Sequence, residues 1–204
     1  MNKPHIGDSF TAGFDFVKKN PGPAIVGAFA MNVIGGVTYG VLGGPVILGF
    51  YSMVARFPEG GEPGYDGVFK GFKRFWPSVS TYLLGAVLTM IGLCFCIVPG
   101  LLVFPMVYIA MGLVHHGADN AVEAYKRAWQ IHKGNLLMNT AAIWLFTLFQ
   151  SLGILLCFVG IFFTAPVATA AITFYVEALL ADGTDESAPT EKSDPDPDPD
   201  IASE

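Results

Sequence analysis

Residues 75–118 read FWPSVSTYLLGAVLTMIGLCFCIVPGLLVFPMVYIAMGLVHHGA, and their reading decides the fold. These 44 residues include no Asp, Glu, Lys or Arg. A bilayer core about 30 Å thick is crossed by about 20 helical residues rising 1.5 Å each. One span would leave half of the stretch unused, so it predicts a hairpin of two membrane helices. The pattern recurs: 36 uncharged residues separate Lys19 from Arg56, and 43 separate Lys133 from Glu177. The expected fold is all-α, a polytopic transmembrane helix bundle of about six spans in three hairpins.

Composition agrees. The chain is 52% hydrophobic and 14% charged, against roughly a quarter charged in soluble domains. Its formal charge of −6 is unevenly distributed. Residues 182–204 carry nine acidic residues and one Lys, whereas residues 1–181 carry ten Lys/Arg and eight Asp/Glu. The tail alternates Asp and Pro from Asp194 to Asp200. Low hydrophobicity, high charge and alternating proline predict a disordered acidic tail beyond a transmembrane domain of residues 1–181.

Three aligned segments define a repeat. Cys96-Ile-Val-Pro-Gly-Leu-Leu-Val-Phe-Pro105 matches Cys157-Phe-Val-Gly-Ile-Phe-Phe-Thr-Ala-Pro166, and Pro45, Pro105 and Pro166 recur 60 and 61 residues apart. Each follows a break at Gly43-Gly44, Pro99-Gly100 or Gly160, where glycine and proline predict a tight turn. A short amphipathic segment precedes each hairpin. Asp8-Ser-Phe-Thr-Ala-Gly-Phe14 resembles Asp66-Gly-Val-Phe-Lys-Gly-Phe72 and Asp119-Asn-Ala-Val-Glu-Ala-Tyr125. Asp8, Asp66 and Asp119 read as N-cap residues, and Asn120 with Glu123 offers a capping box. Val122, Tyr125 and Trp129 form an apolar stripe with basic flanks, as in a helix lying among headgroups or over the ends of the bundle. The repeats run over about 8–57, 66–117 and 119–181.

All eleven Lys and Arg lie outside the apolar stretches, and none falls at a predicted hairpin tip. The positive-inside rule then places both termini in the cytoplasm of a multi-pass inner-membrane protein. A five-span reading would export either Arg56–Arg74 or the Lys18-Lys19 pair. The first hairpin is the shortest, with 34 residues from Ala24 to Phe57, so a re-entrant or strongly tilted pair is the alternative there. Gly36, Gly40 and Gly44, spaced by four, predict a close-packing seam. No signal peptide precedes the first span.

Chemistry is sparse. Cys94 and Cys96 point about 200° apart on a helix, a poor geometry for sharing one ion. With Cys157 they read as reduced packing residues. His115 and His116 diverge by about 100°. Together with Asp66 and Asp119 they are the acid/base or metal candidates of a headgroup-directed enzyme, the weakest of three readings. Asn32, Asn139, Gln150 and Ser151 are polar groups within spans, read as interhelical hydrogen-bonding partners first and a substrate path second. No ionisable residue occupies the middle of a span, against the ion-coupled pump class. No nucleotide-binding loop or catalytic triad context is present. The expectation is therefore no catalytic, cofactor-binding or metal site. The function expected is a non-enzymatic scaffold or regulatory component of the cell envelope, and the alternative is a small-molecule or lipid transporter. The expected partners are membrane lipids and a protein reached through the acidic tail or interfacial helices, not nucleic acid.

The run Asn120-Ala-Val-Glu-Ala-Tyr-Lys-Arg-Ala-Trp-Gln-Ile-His-Lys-Gly-Asn135, followed by a span, resembles a segment of uncharacterised bacterial polytopic membrane proteins. These are similar to the membrane domain attached to some glycerophosphodiester phosphodiesterases. The resemblance implies a helical inner-membrane bundle over most of residues 8–181. It transfers no active-site residue, because in those enzymes catalysis belongs to a separate soluble barrel.

Overall fold

A computed structural model describes residues 5–38, 42–58, 63–65, 67–95, 97–155 and 160–186. The helices are α1 (Ile6–Lys19), α2 (Pro21–Val37), α3 (Gly43–Ala55), a 3₁₀ helix (Gly67–Arg74) that runs into α4 (Phe75–Phe95), α5 (Ile97–His115), α6 (Ala121–Gly134), α7 (Leu136–Leu155) and α8 (Ile161–Glu186). Among the described residues, four stretches are long and apolar enough to cross a membrane: Gly67–Phe95, Val98–His115, Leu136–Gly153 and Phe162–Asp182. The first pair of apolar helices is shorter. With 13 residues, α3 is about 20 Å long, less than a bilayer core.

The helices form concentric layers. α3, α5 and α8 pack on one another at the centre. Around them, α2 lies against α3 and α8, α4 against α5 and α3, and α7 against α8 and α5. Burial follows this order: 56% of the α5 span and 72% of the α8 span are inside the bundle, against 22% for Gly67–Phe95 and 28% for the α7 span. Small residues allow the central approach. Ala165, Ala168, Ala170 and Ala171 of α8 are fully buried, as is Ala110 of α5. Outer positions such as Val87, Met90, Leu145 and Leu148 are exposed.

The amphipathic segments each dock on one central helix: α1 on α8, the 3₁₀ helix on α3, and α6 on α5. The contacts are close enough to require small side chains. A Cβ on Gly13 would stand 2.7 Å from the Val167 carbonyl oxygen and 2.8 Å from the Ala171 nitrogen. One on Gly71 would collide with the Pro45 carbonyl and stand 2.5 Å from the Gly49 nitrogen. Ala124 of α6 is fully buried in the core with Ile109, Ala110 and Leu113.

Several local expectations change. α4 ends at Phe95 and α5 begins at Ile97, so Pro99-Gly100 enter the first turns of α5. Proline is tolerated there because a first-turn N–H has no helical acceptor. His5 replaces Asp8 as the N-cap of α1, leaving Asp8 inside the first turn. α6 docks through Ala124, Tyr125, Ala128 and His132, while Val122 and Trp129 face outward. The apolar stripe therefore splits between bundle and surroundings. Of the glycine seam, Gly44 meets the Ser78 backbone of α4; Gly40 lies outside the described residues.

Proline inside α5 has a named consequence. Pro105 cannot donate to the Leu101 carbonyl one turn earlier. Trp144 of α7 donates its indole N–H to that oxygen at 3.0 Å.

Candidate functional site

α5 closes with a glycine cap. Gly117 has φ +110°, a left-handed backbone that glycine adopts without a Cβ clash. Its N–H donates to Val114 at 3.2 Å, and the Ala118 N–H donates to Leu113 at 2.9 Å; this bond pair satisfies terminal carbonyls. The chain then turns to Asn120, whose side chain accepts the Val122 N–H at 2.9 Å and caps α6. His115, His116 and Asp119 are thereby fixed at one corner of the bundle.

They do not converge on one another. His116 Nε2 stands 3.1 Å and 3.0 Å from the two carboxylate oxygens of Glu177 on α8. His115 turns to Tyr51 of α3, with ring centroids 5.2 Å apart. Asp119 pairs with Arg74, which also donates to the Ala118 carbonyl at 3.2 Å. The buried Tyr51 hydroxyl makes no well-formed hydrogen bond, although the Glu177 carboxylate is near enough to act on it. Arg56 and Arg74 both act electrostatically on His115. Asp66, the fourth candidate, lies outside the described residues, as do Cys96 and Cys157. Cys94 is a free, exposed thiol on α4. Among the described residues, no group of three or more His, Cys, Asp or Glu side chains is placed to hold a metal ion. The arrangement joins the end of α5 to α8 through the His116–Glu177 hydrogen bond, and to the end of the 3₁₀ helix through the partly exposed Arg74–Asp119 ion pair, worth about 1 kcal/mol or less.

The polar groups of the spans separate in a similar way. Asn139 is buried, accepts the Tyr175 hydroxyl at 2.9 Å and donates to the His132 carbonyl at 3.4 Å, so it hydrogen-bonds across helices. Asn32 is exposed and donates to Ala28 of its own helix at 2.8 Å. At Gln150 the backbone carbonyl accepts the Thr164 hydroxyl at 3.2 Å. Ser151 bonds back to Thr147. Neither Asn32 nor Gln150 lines the cavity beside α5.

That cavity, about 260 Å³ and partly open, lies between α3, α4 and α5. Ile47, Tyr82, Thr89, Phe104, Tyr108 and Met111 contribute to its wall. It sits where α3 begins: a Cβ on Gly43 would stand 2.9 Å from the Tyr82 ring, and Ile47 is one turn further along. These residues carry no signal in the sequence, because a tyrosine or threonine within an apolar stretch has no charge to mark it.

His132, on α6, is fully buried. Burial lowers its pKa below the ordinary histidine value, with a weaker opposing contribution from the nearby Leu102 backbone. Its Nδ1 makes no well-formed hydrogen bond, and Nε2 is 3.4 Å from the Thr140 hydroxyl.

Comparison of the chain with protein-family models, with curated proteins and with solved structures finds no match.

Proposed function

We propose that this chain is a six-span inner-membrane protein with both termini cytoplasmic, built from three repeated hairpins and acting as a scaffold or regulatory component of the envelope. One observation carries the repeat. Gly13, Gly71 and Ala124 occupy the same position in the three aligned segments, and each meets a central helix: α8, α3 and α5. Each of these helices is the second arm of a proposed hairpin, so the amphipathic helix of one repeat covers the preceding repeat. The first covers the last, closing a ring. Short α2 and α3 then cross a locally thinned or tilted bilayer region. A relationship to the membrane domain attached to glycerophosphodiester phosphodiesterases fits this architecture.

Scaffolding is supported by the outward presentation of Phe69, Trp76, Val122 and Trp129 on or beside the amphipathic segments. Aromatic side chains at such positions anchor helices at the membrane surface and offer contact area to a protein partner. Reporter fusions at Gly40, Cys96, Gly160 and Glu204 test the topology: the first three are expected outside and the last in the cytoplasm. Photocrosslinkers at Phe69 and Trp129 test the role in cells. A discrete protein adduct is expected, whereas lipid adducts alone would remove the scaffold reading.

The cavity favours a second reading, transport of a small molecule or lipid. Reconstitution in liposomes separates the two: saturable, protein-dependent flux of a solute or labelled lipid would replace the scaffold by a transporter.

A further inference from the structure

Some cationic side chains of the bundle are answered by a neighbour. Lys19 lies over the Phe57 ring at 5.5 Å, and Arg74 holds Asp119. Those of α6 are not. Lys126, Arg127 and Lys133 are exposed, and among the described residues none of them enters an ion pair or a side-chain hydrogen bond. Val122, Lys126, Trp129 and Lys133 recur at helical spacing and share the outward face, with Arg127 and Gln130 beside it. Trp129 is 48% exposed, whereas Ala124, Tyr125, Ala128 and His132 take the buried side. Glu123 is the one acidic residue of α6. A face that combines an aromatic ring with three cations suits an extended anionic segment better than an apolar helix.

The chain carries such a segment. Residues 187–204, which follow α8, hold six acidic residues and one Lys, and Asp alternates with Pro from Asp194 to Asp200. A sequence of this kind extends by about 3.1 Å per residue, so Asp residues four apart stand about 12 Å from each other. Lys126 and Lys133 are seven helical residues apart, about 10 Å. A proline between two such Asp residues then falls opposite Trp129, and prolines in extended segments dock on aromatic rings. Reach is sufficient. Glu177 of α8 meets His116, and α6 starts five residues after His116. From Glu177 the helix rises about 14 Å to Glu186, and Asp194 and Asp200 lie within about 25 and 43 Å of extended chain beyond it. A short tether holds its two ends at an effective concentration in the mM range, so a contact with a Kd of about 1 mM is enough. We propose that residues 194–200 dock on the outward face of α6 in the same chain, with carboxylates on Lys126, Arg127 and Lys133 and a proline ring on Trp129. The tail then covers the face that the scaffold reading offers to a protein partner, and the partner must displace it. The inference rests on that reading's placement of α6 and the tail on one side of the membrane.

The test uses the full chain in phosphatidylcholine nanodiscs, with a diazirine amino acid in place of Gln130. Irradiation should join position 130 to the peptide containing residues 194–200 of the same chain, with a yield independent of protein concentration. Lys126→Glu with Arg127→Glu should cut that yield roughly fivefold or more. Adding Asp194→Lys, Asp196→Lys, Asp198→Lys and Asp200→Lys to those two changes should restore it. Raising the salt from about 0.1 to about 1 M should lower the yield of the parent chain, because exposed charges are then screened. All the substituted positions of α6 are exposed, and thermal unfolding checks that each variant keeps its fold. The proposal is overturned if position 130 labels lipid alone or nothing, if adducts form only between two differently tagged copies, or if charge reversal leaves the yield unchanged. Failure of the topology is read separately, since the reporter fusions would then place the C-terminus outside.

Discussion

The Trp144 indole N–H donates to the Leu101 carbonyl at 3.0 Å, the oxygen that Pro105 leaves without its helical donor. A proline in one helix is thus answered by a side chain on another, and the two substitutions are coupled. Trp144→Phe should destabilise the bundle by about 1–3 kcal/mol, because an apolar ring cannot satisfy the carbonyl. In a Pro105→Ala background the backbone N–H returns, and the same change should cost less. Chemical unfolding of the four proteins in detergent measures the difference; equal costs in both backgrounds would uncouple the pair.

Close packing of α1 on α8 gives a second test. The Gly13→Val side chain would press on Val167 and Ala171 backbone atoms that cannot move aside cheaply. A loss of about 1–3 kcal/mol is expected. Gly7 has open space around its Cα, with nothing within 4 Å of an added Cβ. Gly7→Ala should therefore hold or raise stability, by up to about 1 kcal/mol from helix propensity. Thermal unfolding of the two variants distinguishes a packing contact from a general intolerance of α1 to substitution.

Protonation of His132 supplies a pH dependence. Burial holds its pKa in the fold below the unfolded value, so the unfolded chain binds the proton more readily. This group's full contribution to stability stands above pH about 6.5. It falls as the pH drops below that value and levels off below the folded pKa. His132→Phe should flatten this acid limb, read as stability against pH. An unchanged limb would assign the acid sensitivity to other groups.

The Arg74–Asp119 pair is expected to matter little. Asp119 is largely exposed, and exposed pairs contribute about 1 kcal/mol or less. Asp119→Asn should shift stability by less than that, and its effect should shrink further as salt is raised. A loss of several kcal/mol would give Asp119 a role that its contacts do not explain.

How much of this was legible follows from which physical signals survive in a string of residues. Charge exclusion located the long apolar helices, and the glycine and proline breaks fell within a few residues of the helix ends. Asn139 was readable as an interhelical hydrogen-bonding residue. The docking face of α6 was not legible, because hydropathy picks out Val122 and Trp129, which face outward, whereas the buried side carries the small Ala124 and Ala128. The His116–Glu177 pair was hidden by 61 residues of separation. The cavity was less accessible still: it depends on where α3 starts against Tyr82.

The packing of α1 on α8 bears on how the chain is made. α1 precedes its partner by more than a hundred residues, so on the membrane-spanning reading proposed above it waits during synthesis while the intervening helices insert. Its Phe16, fully buried in the finished bundle between Phe50, Phe57 and the α8 wall, has no α8 to meet until last. Translation at roughly 5–20 residues per second makes that interval about ten seconds or more. An amphipathic helix can wait on the bilayer surface with its apolar side down. On that reading the docking of α1 on α8 is a late event of assembly, the transfer of the oldest helix from lipid to protein.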